Sequence, residues 1–166
     1  MRHFTINWVL GLVLLAICVP TGGYAMIQTL PLEQLVGGSD LVVVAMLKSS
    51  RDLQKDSAGF LRVEKVVTID KVLKGSATSG KDLTFETIAD FEDSPKIPKG
   101  CKVVLFLKAN EAGVYEVVNL VQGAWPLLEN GKCSGMGLGQ TLNSLIELIK
   151  KNPQAAPVEE VFEPEF

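Results

Sequence analysis

Histidine is almost missing from this sequence; His3 is the one present. Beyond that position no Ser-His or Cys-His pair can be assembled, and the commonest general base is lost with them. Cysteine is scarce too: Cys18, Cys101 and Cys133 are too few, without histidine, to complete a structural zinc tetrahedron. No excess of positive charge exists either. Lys and Arg number 16 against 19 Asp and Glu, a net charge of −3, which argues against a nucleic-acid partner, since that needs a concentrated basic face. No apolar run reaches the roughly 20 residues that span a bilayer, and there is no internal repeat and no alternation of strand and helix periods.

What is present begins with an export signal. Arg2 supplies a basic start, Trp8–Val19 is a short apolar run, Pro20 breaks it, and Gly23-Tyr24-Ala25 places small residues at −3 and −1. Ile17 stands before Cys18 where a lipobox has a small residue, so cleavage after Ala25 is the expectation. Residues 1–25 then form a cleaved signal peptide, 26–151 a single domain, and 152–166 a tail, with no transmembrane segment after cleavage. The product is exported, periplasmic or extracellular. The mature chain keeps no histidine and two cysteines. Losing Arg2 leaves 15 cationic residues against 19 acids, a net charge near −4. An even cysteine count in an exported chain predicts one disulfide, Cys101–Cys133, which loop-closure entropy would make worth about 3–4 kcal/mol.

The organising stretch is Phe60–Gly75, FLRVEKVVTIDKVLKG. Its apolar residues change parity along one run, Val63, Val67 and Ile69 on one face, Val66 and Val72 on the other. That pattern belongs to a long, bulged strand, the kind that curls a small sheet into a barrel. Leu41–Leu47 and Cys101–Lys108 are apolar on both parities and read as strands buried on both sides. Asp82–Ala89 alternates and has one wet face; Val114–Val121 reads as another strand. Asn130-Gly131 lies between Ala124–Leu128 and Lys132–Met136 and signals a hairpin. Lys48–Gly59 is polar and aperiodic, hence a loop or hairpin tip, and Asp90–Gly100, with two prolines, cannot hold a regular ladder.

Helices flank these strands. A short one around Leu30–Leu35 stops at Gly37-Gly38. Thr141 caps a second over Leu142–Lys151, whose Leu142, Leu145, Ile146 and Ile149 form one stripe. Asn152–Phe166 holds three prolines, four glutamates and no cation, the composition of a disordered acidic tail. The fold class is therefore all-β with flanking helices: a five- to six-stranded OB-like barrel with a C-terminal helix.

Three segments, Leu35-Val-Gly-Gly-Ser-Asp-Leu-Val-Val-Val-Ala45, Asp70-Lys-Val-Leu-Lys-Gly75 and Gly100-Cys-Lys-Val-Val-Leu-Phe-Leu107, resemble the signatures of the netrin-like modules. That group includes the tissue inhibitors of metalloproteinases and many bacterial exported proteins. The resemblance covers residues 30–150 and implies an OB-type barrel used for binding rather than catalysis. The inhibitors present an N-terminal cysteine to their target's zinc; a chain starting Met26-Ile27-Gln28 has none, so inhibition of that type does not carry over.

Candidate chemistry is sparse. Ser134 stands in Lys-Cys-Ser-Gly, not in a nucleophile elbow, and no catalytic residue is assigned. Gly135–Gly139 precedes a helix but lacks the following strand and acidic residue of a dinucleotide site, so it reads as a linker and no cofactor is called for. Asp90, Glu92 and Asp93 lack calcium-loop spacing, and no metal ligand is assigned. Trp125, Tyr115 and Phe91, with Phe162 in the tail, are the candidate contacts to a protein partner, aromatics being favoured at interface centres; the other reading of Trp125, and the more usual one for a tryptophan, is a cap on the barrel core. The expected function is a non-catalytic exported binding or accessory module. The alternatives are a histidine-independent hydrolase or transferase and a purely structural envelope protein.

Overall fold

A computed structural model describes residues 27–152; the signal region, the tail and Phe162 lie outside the described residues. In order, the elements are α1 (Leu32–Gly37), β1 (Leu41–Lys55), β2 (Leu61–Lys74), β3 (Asp82–Ala89), β4 (Lys102–Ala109), β5 (Tyr115–Val117), β6 (Ala124–Leu127) and α2 (Leu142–Lys151), with single 3₁₀ turns at Leu120–Gly123 and Gly135–Gly137. The strands pair β1-β2-β3-β5-β4, and β4 returns to β1 to close a five-stranded barrel. β3 and β5 are parallel and the other neighbours antiparallel; β6 is an extra strand following β5 along the same edge of β4. This is the OB-like barrel with C-terminal helix that the sequence predicts.

Closure depends on the length and curvature of β1. Its first residues, Leu41–Met46, pair with β4 on one edge and β2 on the other. Four register irregularities along the β1–β2 ladder, including one at Leu47/Ser49, supply the bends a small barrel needs.

The doubly apolar runs then separate by parity. Leu41, Val43, Ala45, Val103, Leu105 and Leu107 point inward with Val67, Ile69 and Phe85. Val42, Val44, Val104 and Phe106 point outward, where Leu35 and Val36 of α1, Leu145 and Ile149 of α2, Trp125 and Cys133 cover them. Two cores thus share the β1–β4 wall. The Thr141 cap is present as a capping box: its hydroxyl accepts from Ser144 N–H at 3.0 Å, and Ser144 Oγ accepts from Thr141 N–H at 2.9 Å.

Two motif stretches meet at one corner. Lys74 Nζ donates to the carbonyls of Val36 (2.8 Å) and Ser39 (2.7 Å), placing a cation at the C-terminal end of α1. Gly75 (φ +84°) follows, and a Cβ there would collide with the Asp40 carbonyl oxygen. Gly-Gly-Ser-Asp and Lys-Gly are therefore a structural joint.

Several expectations need correction. Lys48–Lys55 is strand, not loop: Ser49, Ser50, Arg51 and Asp52 stand opposite Val66, Lys65, Glu64 and Val63. Largely exposed, the segment has no dry face to impose alternation, so main-chain pairing with β2 defines it. Val114–Val121 shrinks to Tyr115–Val117, because Asn119 and Leu120 are left-handed (φ 49° and 51°). The return limb of the Asn130-Gly131 hairpin contributes only isolated bridges, Leu127 with Cys133 and Lys132 with Thr141. The expected disulfide is not formed; both cysteines are free, Cys101 exposed and Cys133 buried. Strand β6 explains it, for Leu127 stands between Lys102 and Cys133. Two inter-strand spacings of about 4.8 Å put Cys101 and Cys133 well beyond the reach of a disulfide.

Candidate binding face

Strands β3 and β5 contribute nothing to the outer core, whereas α2 touches β2 and Leu73 joins that core; toward the hairpin end of these strands the outward residues Arg62, Glu64, Glu86 and Glu116 are charged. Glu86 and Glu116 stand in register on the parallel pair β3–β5, an arrangement that repels unless a cation intervenes. Arg62 intervenes. Its Nη2 donates to Glu86 Oε2 at 2.9 Å and also to Glu116 Oε1. The bond to Glu116 is the main cause that raises the guanidinium's pKa; burial opposes it and the bond to Glu86 adds to it. Further pairs, Arg51–Glu64 at 3.0 Å and Lys48–Asp82, continue across the same face.

Arg62 lies just after the β1–β2 hairpin tip, and Glu116 just after the β4–β5 hairpin. Asn110 joins them: its Oδ1 accepts from Ala112 and Val114 N–H, both at 3.0 Å, shaping the turn, while its Nδ2 donates to Glu116 Oε1 at 3.3 Å. The hairpin bases of Asp56–Phe60 and Asn110–Val114 are thus held on one side of the barrel, the side on which OB barrels commonly receive ligands.

Beside Glu116 opens a cleft of about 470 Å³, lined by Leu30, Gln34, Lys108, Glu111 and Asn119 among others, a volume within the usual range of ligand sites. One wall is the strap before α1, held by two amides. Gln122, 4% exposed, accepts from Leu30 N–H at 2.9 Å and donates to Leu30 O at 2.7 Å, while Asn119 Nδ2 donates to Gln28 O at 2.9 Å. The left-handed backbone at Asn119-Leu120 presents both amides. Asn tolerates that conformation and Leu does not, at a cost of about 1–2 kcal/mol. Asn119 inside an apolar run was the available signal for this break, since Asn is depleted in strands.

Of the four residues expected at a partner contact, the three that are described do not form one patch. Trp125 is 2% exposed; its Nε1 donates to Gln122 O at 2.6 Å, its ring lies 4.7 Å from that of Phe106, and Gly137 packs against it so closely that a Cβ would clash. It belongs to the outer core. Tyr115 packs half-buried against the inner core, opposite Phe85. Phe91 lies beyond the far end of β3, edge-to-face with Phe60 at 5.5 Å. Phe162 is outside the described residues. Arg62, Asn110 and Gln122 went unmarked in the sequence because single polar residues in or beside strands carry no spacing signal.

Two lysines have their pKa pushed down, in each case chiefly by burial, which nearby Asp52 offsets for Lys65 and Asp40 for Lys74. Lys74 is committed to carbonyls, and Lys65 stands on the inward parity of β2 opposite Phe85; neither lines the cleft. Among the described residues no group of three or more His, Cys, Asp or Glu side chains could hold a metal ion, and no helix is long and apolar enough to cross a membrane. No protein-family model matches the chain, and no curated protein matches it in sequence.

Proposed function

We propose that this chain is an exported, non-catalytic binding module of the netrin-like kind, released by cleavage after Ala25. It engages a protein partner through the open side of its barrel. The cleft beside the Asn110–Val114 hairpin carries this reading, because a preformed concavity adjoins a charged face whose side chains are already ordered by Arg62 and Asn110. Pre-ordering lowers the entropy that association must overcome. The partner contact shifts from the aromatic set Trp125, Tyr115 and Phe91 to Lys108, Glu111 and Glu116, with the tail residue Phe162 as an additional contact.

A photo-crosslinking residue placed at Glu111, with a control at exposed Lys71 on β2, tests this in the native host. The expected result is one protein captured repeatedly from Glu111 and not from Lys71. Equal capture from both positions, or none from either, overturns the reading. Intact mass of the exported product beginning at Met26 tests the cleavage site.

A further inference from the structure

One wall of the cleft is fastened differently from the others. Lys108 and Glu116 sit in ladder strands and Gln34 in α1, whereas Leu30 belongs to the strap, residues 27–30, which is neither helix nor strand. Among the described residues, no main-chain group of the strap bonds to another main-chain group. Two side chains hold it instead. Gln122 pairs with both the N–H and the C=O of Leu30, and Asn119 Nδ2 donates to the Gln28 carbonyl. The same Nδ2 donates to Gln122 Oε1 at 2.6 Å, which joins the two amides into one latch.

The latch favours the docked strap without making it part of the core. Gln122 is buried, so release costs its Nε2 a hydrogen bond that water cannot readily replace. Few apolar contacts add to that hold: Ile27 and Leu30 are half-buried, and Gln28 and Thr29 are exposed. Segments with so little burial open far more readily than ladder strands. Movement ends at Pro31, whose carbonyl accepts from the N–H groups of Gln34 and Leu35 at 3.0 Å each, and Leu35 is fully buried. α1 and its Gln34 therefore stay in place while Leu30 leaves. We infer that residues 27–30 are a lid on the cleft, latched by Gln122 and Asn119, which opens while the barrel stays folded and shuts again as a wall against which a partner is held. The inference rests on the reading of the cleft as the binding site.

Hydrogen exchange of the folded mature chain, wild type and Asn119→Gly, tests the lid. Glycine accepts the φ of 49° at this position, so the variant removes the side-chain latch and keeps the turn; urea unfolding checks that it folds. The expected wild-type result is a Leu30 amide slowed relative to an unfolded chain, yet exchanging about tenfold faster or more than the amides of residues 103–107. Low urea should speed residues 103–107 and leave Leu30 unchanged, because a local opening exposes little surface. In Asn119→Gly, Leu30 should exchange about tenfold faster again. A Leu30 amide that follows residues 103–107 in urea overturns the lid, because the strap then opens only with the barrel. So does Leu30 exchange at the rate of an unfolded chain, which leaves nothing latched, or exchange that the variant does not change. Photo-crosslinking from Glu111 judges the binding reading separately: capture should fall several-fold in Asn119→Gly, since the partner must then re-form its wall. Equal capture from both proteins overturns the lid's hold on a partner, whereas no capture from the wild type refutes the binding reading and leaves the lid to stand or fall by exchange.

Discussion

The two sides of the barrel are built on different terms. Along the β1–β4 wall every residue is used: odd positions of Leu41–Ala45 and Val103–Leu107 fill the barrel, while even positions meet α1, α2 and Trp125. Across β2, β3 and β5 only the inner parity is dry, and the outer parity carries Arg62, Glu64, Glu86 and Glu116 in ion pairs. Apolar burial stabilises in proportion to area, whereas partly exposed ion pairs contribute little. Stability is therefore concentrated in one wall, leaving the opposite face free to carry charge.

The largest effect should come from breaking that asymmetry on the covered side. Phe106 is completely buried, its ring tilted against that of Trp125 in the outer core, and Phe106→Ala should cost about 3–5 kcal/mol. On the open face, Thr84→Ala should stay within about 0.5 kcal/mol. Urea unfolding of both variants measures the difference; equal midpoints would show that the outer core is not where the stability lies.

Arg62→Ala probes the open face itself and should cost about 1 kcal/mol, since it leaves Glu86 and Glu116 facing one another. Added salt should shrink the deficit, because repulsion between partly exposed like charges is screened. A deficit independent of salt would mean that Arg62 acts only through its packing.

Lys65 is the one cation on the inward parity of β2, and it tests the boundary between the two regimes. Its folded-state pKa is lowered, mainly by burial, so the charged form is disfavoured in the fold. That cost is complete below the folded pKa and disappears as pH rises past the unfolded value near 10.4. Lys65→Met should thus raise the melting temperature at neutral pH by an amount worth under about 1 kcal/mol, an advantage that narrows toward pH 10. A lower melting temperature would show the amine to be a stabilising partner of Asp52.

What the sequence shows depends on which of these regimes a segment occupies. The wall was legible, because Leu41–Leu47 and Cys101–Lys108 are apolar on both parities and burial on both sides leaves no other reading. Thr141 and the Leu142–Ile149 stripe were legible for the same reason, since capping and burial act through residue type. The second half of β1 was not, because exposed side chains leave the main-chain ladder as the sole determinant of the strand. Nor was the cleft, whose walls come from Leu30, Lys108 and Asn119, brought together by closure of the barrel. The cysteine pair misled through composition: two cysteines are consistent with a bridge, and only strand order decides otherwise, while Trp125 lies in a core as is usual for a tryptophan.

The smallest effect is expected at Cys101, where composition and strand order disagree most directly. Cys101 is exposed before β4 and Cys133 is buried in the outer core, its thiol pKa pushed up by burial. β6 lies between them, so bridging them would require that strand, and the Trp125 packing with it, to be displaced. Cys101→Ser should leave the melting temperature unchanged with or without reductant. A thiol reagent should modify Cys101 at once in the folded protein and Cys133 only on unfolding, because the thiolate is the reactive form and burial disfavours it. Denatured, unreduced protein should therefore yield two reactive thiols. If it yielded none, β6 would not hold its place between the cysteines, and the outer core would have to be redrawn around a bridge.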